Sequence, residues 1–80
     1  MTKEILQNWL REKIAEEAVI QKEEVGFDKP LESYQLDSLS ILTISYDLES
    51  FTGFTIDPTI FSEFKTINEI TEWILSKKNR

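Results

Sequence analysis

The chain has 80 residues, 30% of them charged, and a formal net charge of −6. That length suits one small domain over residues 1–80, and a domain this size buries only about 60% of the surface its unfolded chain exposes. The sequence holds neither cysteine nor histidine, which removes disulfides, thiolate metal sites and the commonest general base near neutral pH, and its acidity argues against nucleic acid, whose phosphates need a basic patch.

The first residues mix acids and bases among apolar side chains and lack the continuous apolar stretch of a signal peptide. No run approaches the roughly 20 apolar residues of a membrane span. A cytoplasmic location without membrane insertion is therefore expected. Residues 3–19 read as a first helix, because Ile5, Leu6, Trp9, Leu10, Ile14, Ala18 and Val19 recur at spacings of three and four. Thr2 is positioned to cap it. Trp9 and Trp73 follow helical spacing with aliphatic neighbours and read as core. Residues 20–36 carry Gly26 and Pro30 and show no sustained period. They read as a long loop pinned by Val25, Phe27 and Leu31, with room for a short helical turn. Loops of this length are uncommon and often functional.

Asp37 caps a second helix expected over residues 38–51 and ended near Gly53. At about 100° per residue, Ile41, Ile44, Leu48 and Phe51 share one arc, expected to face the core. Leu39, Leu42 and Tyr46 form another arc on roughly the opposite side. A helix apolar on both sides is either central in its bundle or presents a contact surface. A mixed case leaves Leu42 partly buried and Leu39 and Tyr46 exposed. Asp57 and Pro58 open a short third helix over Thr59–Glu63. Thr66 and Glu69 form a capping box for a last helix that buries Ile67, Ile70, Trp73 and Ile74. Lys77, Lys78 and Arg80 suit its negative C-terminal end. The expected fold is all-α, a four-helix bundle of three long helices and one short, with the long loop between helices one and two.

The charges are unevenly placed. From Pro30 to Phe64 there are six acids (Glu32, Asp37, Asp47, Glu49, Asp57 and Glu63) and no base. Such a segment is either a solvated surface or a face that steers basic partners.

The segment Tyr34-Gln35-Leu36-Asp37-Ser38-Leu39 sits mid-chain, after the long loop and at the head of an acidic helix. That setting resembles the acyl carrier protein family, in which the serine of Asp-Ser-Leu receives 4′-phosphopantetheine from coenzyme A. The resemblance continues through Leu48-Glu49, Gly53 and Ile56. Pro58-Thr59-Ile60-Phe61 and Thr66-Ile67 are similar to carrier domains of polyketide synthases, as is Leu36 before Asp37. Gln35 stands where the family usually has glycine, and glutamine enters a positive φ only at a cost. Thr43 stands where fatty-acid carriers often have an acid.

The resemblance implies a non-catalytic carrier, not an enzyme. Its cofactor would be 4′-phosphopantetheine on Ser38, flanked by Asp37 and Leu39, with acyl groups held as thioesters on the arm. It implies a phosphopantetheinyl transferase, an acyl-loading enzyme (an acyltransferase or acyl-activating ligase) and a ketosynthase or other synthase enzymes as partners, with the carrier itself a monomer. The matching acid in the family, Asp37 here, contacts the transferase. Polyketide, fatty-acid and related pathways all remain open. So do an aminoacyl, D-alanyl or peptidyl cargo and an unmodified interaction module. The residues themselves suit the role: a serine in a first helical turn is exposed beside unpaired N–H groups, a favourable place for a phosphodiester. The expected partner face combines the charges of Asp37, Asp47 and Glu49 with apolar contact from Leu39, Tyr46 and Ile56. No metal ligand set is expected.

Overall fold

Helix α1 spans Lys3–Ala18, α2 Ser38–Thr52, α3 Ile60–Glu63 and α4 Ile67–Lys78 in the computed structural model, which describes residues 2–78 without the Lys78 side chain. The bundle expected from the sequence is therefore present, within a residue or two at each helix end. Among the described residues no helix is long and apolar enough to cross a membrane.

The caps are the expected ones. Thr2 Oγ1 accepts the Ile5 N–H at 3.2 Å at the start of α1. Gly53 closes α2 at φ 83°, its N–H bonded to the Glu49 carbonyl at 2.8 Å. That backbone conformation strains any residue with a Cβ. Before α3, Asp57 Oδ1 accepts the Thr59 N–H at 2.9 Å. The regular helix starts one residue later than expected, at Ile60. At α4, Thr66 Oγ1 accepts the Glu69 N–H at 3.2 Å, and Glu69 Oε1 takes the Lys65 N–H at 3.3 Å rather than that of Thr66. Of the bases expected at the far end of α4, Arg80 and the Lys78 side chain lie outside the described residues. Lys77 Nζ sits 5.0 Å over the Trp73 ring.

The core joins one stripe from each long helix. Leu6, Leu10 and Ile14 of α1, Ile44 and Leu48 of α2, and Ile67, Ile70 and Ile74 of α4 are fully buried. Each such side chain contributes about 1.5–3 kcal/mol of burial. The predicted stripe of α1 fails at its edges. Ile5 is 53% exposed, and Val19 is 88% exposed because the chain turns left-handed there at φ 56° and leaves the helix. Trp9 and Trp73 are half-buried against the core rather than within it. Two polar side chains on α2, Ser45 and Thr52, are buried. Each hydroxyl donates back to the carbonyl four residues earlier, at 2.8 Å, which removes the cost of an unpaired buried donor.

The stretch from 20 to 36 is ordered by bonds to distant residues. It contains two short 3₁₀ turns, Lys22–Glu24 and Leu31–Tyr34. The Leu31 N–H donates to the Lys65 carbonyl at 2.8 Å, and the Asn68 N–H donates to the Phe27 carbonyl at 3.0 Å. Asn68 also bridges Gln7 of α1 and Asp28 of the loop. Tyr34 Oη accepts the Gly26 N–H at 2.8 Å, and the Arg11 guanidinium lies 4.2 Å over the Phe27 ring. Val25 and Leu31 are buried and Phe27 packs on the core, as expected. This fixed loop delivers the chain to the start of α2.

Candidate functional site

Ser38 is the first residue of α2, and it is exposed. The turn that aims it is made at Gln35, which takes φ 54° and ψ 44° after the 3₁₀ turn, its N–H bonded to the Glu32 carbonyl at 3.2 Å. The chain thus makes with glutamine the left-handed step that glycine makes without a Cβ, at a cost of about 1–2 kcal/mol. Asp37 follows in extended conformation, and its Oδ1 accepts the Ser40 N–H at 2.8 Å. That bond holds the Asp37 carboxyl below the usual carboxylate range. The N–H groups of Ser38 and Leu39 have no intrahelical acceptor, as at any helix start. An anion on Ser38 Oγ would sit beside them, at the positive end of the α2 dipole.

A cleft of about 350 Å³ opens next to this turn. Leu31, Leu36, Ile41 and Phe61 form its apolar walls, and Gln35 and Lys65 also line it. Leu36 and Ile41 bracket Ser38 in the chain.

The second arc of α2 is a surface. Leu39 is 72% exposed, Tyr46 is 62% exposed, and Leu42 is partly covered between them. The mixed case therefore holds. Thr43, in the place of an acid, donates its hydroxyl to the Leu39 carbonyl at 3.0 Å. The acids expected alongside are differently employed. Asp37 is exposed and caps α2. Asp47 Oδ2 accepts from Lys13 Nζ of α1 at 2.9 Å, a bond that raises the lysine pKa. Glu49 Oε2 accepts the Ile56 N–H at 3.0 Å. Ile56 itself overturns an expectation: it is 2% exposed and belongs to the core. Its backbone is held by Glu49 and its side chain turns inward, so it offers a partner no apolar contact. Phe51, expected in the core, instead lies partly exposed and stacks on Trp9 of α1 with centroids 4.8 Å apart.

An exposed serine at a capped helix start, set at the end of an ordered loop, has clear relatives. Residues 8–74 match the family described as the phosphopantetheine attachment site. The chain belongs to that family. It is a carrier protein whose cofactor is covalently attached 4′-phosphopantetheine. It is 29% identical over 70 residues to the polyketide synthase PksL of Bacillus subtilis (strain 168), matching 88% of this chain but only 2% of the synthase. It is 29% identical over 77 residues to the acyl carrier protein TtuC of Teredinibacter turnerae (strain ATCC 39867 / T7901), covering 96% of this chain and 88% of TtuC. Among solved structures, it superposes with a TM-score of 0.88 on a free-standing peptidyl carrier protein from an uncharacterized secondary metabolic pathway of Acinetobacter baumannii. The two are 32% identical, and the match covers 94% of each chain.

Reading the carrier's sequence alone misses the Lys13–Asp47 pair and the Glu49 bond to Ile56. Neither has a local signal: Lys13 and Asp47 lie 34 residues apart, on different helices. The buried Ser45 and Thr52 do have one, a hydroxyl four residues after a carbonyl it can bond inside a helix.

Proposed function

We propose that Ser38 is the residue that receives 4′-phosphopantetheine, and that the chain carries acyl intermediates among the enzymes of a polyketide-type pathway. The observation that carries this reading is the placement of Ser38 alone: exposed, first in its helix, behind the Asp37 cap. In the transfer, Ser38 Oγ bonds to the phosphorus of the pantetheine phosphate, the phosphoanhydride bond of coenzyme A breaks, adenosine 3′,5′-bisphosphate leaves, and the transferase takes the serine proton. The arm supplies a thiol that holds cargo as a thioester. The chain's own residues bind and orient. The first-turn N–H groups favour the phosphodiester, and the Leu31, Leu36, Ile41 and Phe61 walls give an apolar chain a recess.

The polyketide assignment is supported by the likeness to PksL and by Pro58-Thr59-Ile60-Phe61. A transferase, an acyl-loading enzyme and a ketosynthase are the partners. They meet Leu39, Leu42 and Tyr46, with Asp37 the acid nearest the arm. Chemistry on the cargo belongs to them, and the chain itself is non-catalytic. It acts as a single domain in the cytoplasm. A peptidyl or aminoacyl cargo is the second reading, favoured by the 32% identity to a peptidyl carrier.

The test is incubation with coenzyme A and a broad-specificity transferase, read by mass spectrometry. One phosphopantetheine should be added, and Ser38→Ala should abolish the addition while circular dichroism stays unchanged. Addition at another serine, or none where a control carrier is modified, removes the claim. Offering the free thiol of the attached arm to acyl-activating and amino-acid-activating enzymes then separates the two cargo readings.

A further inference from the structure

The far end of α2 carries a second surface. Thirteen residue steps of helix take Ser38 to Phe51, about 20 Å along the axis. There an open groove runs between the end of α2 and the start of α1, floored by Ile5, Trp9 and Phe51 and edged by Glu4 and Glu12. Trp9 is half-buried against the core, but the rest of this apolar floor is open. Ile5 is more than half exposed, and Phe51 is partly exposed and stacked on Trp9. Neither Glu4 nor Glu12 takes part in an ion pair among the described residues, whose two pairs are Lys3–Glu72 and Lys13–Asp47. The nearby base, Lys13, is bonded to Asp47, with its Nζ 5.7 Å over the Trp9 ring, and pairs with neither Glu4 nor Glu12. A groove with an apolar floor and acidic, unneutralised edges fits an amphipathic helix with aliphatic anchors and flanking lysines or arginines. A second copy of this chain fits badly, because both copies carry −6 and a groove-on-groove contact would set Glu4 and Glu12 against the same acids.

We propose that this groove docks a basic amphipathic helix of a partner protein, leaving Ser38 free at the other end of α2. The carrier would be held by one face while its arm serves another, which an effective-concentration argument favours for a carrier visiting several sites in turn. The site does not depend on modification of Ser38, so it stands or falls apart from the proposed function.

The probe is a synthetic helical peptide with leucines at i, i+3, i+4 and i+7 and lysines on both flanks, with a twin carrying glutamates instead. NMR titration of the whole chain should move the resonances of Ile5, the Trp9 indole and Phe51. Ile5→Glu should weaken binding more than about tenfold. The exposed position should leave its melting curve and its rate of phosphopantetheine transfer unchanged. Converting Glu4 and Glu12 to Gln should weaken binding at low salt and flatten its salt dependence. Equal binding of the glutamate twin, shifts confined to Leu39, Leu42 and Tyr46, no binding of the lysine peptide, or self-association through Ile5 and Phe51 would each overturn the proposal.

Discussion

The two ends of α2 are built from similar residues and put to opposite uses. At the N-terminal end, Ser38, Leu39 and Asp37 are exposed, and the polar contact there, Asp37 to the Ser40 N–H, is local to the helix start. At the C-terminal end, three side chains reach beyond the helix: Asp47 to Lys13, Glu49 to Ile56, Phe51 to Trp9. An acid in sequence is therefore not an acid offered to a partner. Charge steering requires an unengaged group, and in the acidic segment Asp37 meets that condition better than Asp47 or Glu49.

The comparison is tested most severely in the core. Leu48→Ala should cost about 2–5 kcal/mol, as a buried large-to-small change does, whereas Leu39→Ala should stay within about 0.5 kcal/mol. Urea melts of the two variants decide it, and equal losses would mean that α2 is buried on both sides. Function should invert that order. Leu39→Ala and Tyr46→Ala should slow phosphopantetheine transfer by more than about fivefold, the effect of losing roughly 1 kcal/mol of interface contact. The measurement is kcat/KM on variants shown to be folded.

Next come the backbone positions. Gln35→Gly and Val19→Gly each relieve a left-handed residue that has a Cβ, and Val19 is β-branched as well. Each should stabilise by about 1 kcal/mol, read as a rise in denaturation midpoint without a change in slope. If Gln35→Gly also left the transfer rate unchanged, the turn would be the only need at that position.

The smallest effects are electrostatic. Lys13→Met should lower stability by less than about 1 kcal/mol, because the pair is partly exposed. The raised Lys13 pKa means that this contribution is full below the ordinary lysine value and is lost as pH rises through the raised one. The Asp37 cap has the opposite sign. Its lowered pKa means that the contribution is present above the ordinary carboxylate value of about 3.9 and is lost as pH falls through the lowered one. Asp37→Asn keeps a neutral cap, so its melting temperature should lack that part of the acid decline.

The number of helices, their order, their caps and the position of Ser38 at the head of α2 follow from the amino-acid sequence by itself. Those features rest on local physics: a side chain can cap only its own helix start, and a period of three and four shows wherever one face is buried. Tertiary structure decided which members of each class are free. Ile56 reads as a surface residue until packing encloses it, and Trp9 and Phe51 read as core until two helix ends leave them in an open groove. Asp47 and Glu49 look like Asp37 until Lys13 and the Ile56 N–H reach them. Gln35 adopts a conformation its own side chain disfavours because Leu31 and Leu36 on either side are held by the core. Pairings between distant residues leave no periodic trace in the chain, so only the assembled bundle determines them.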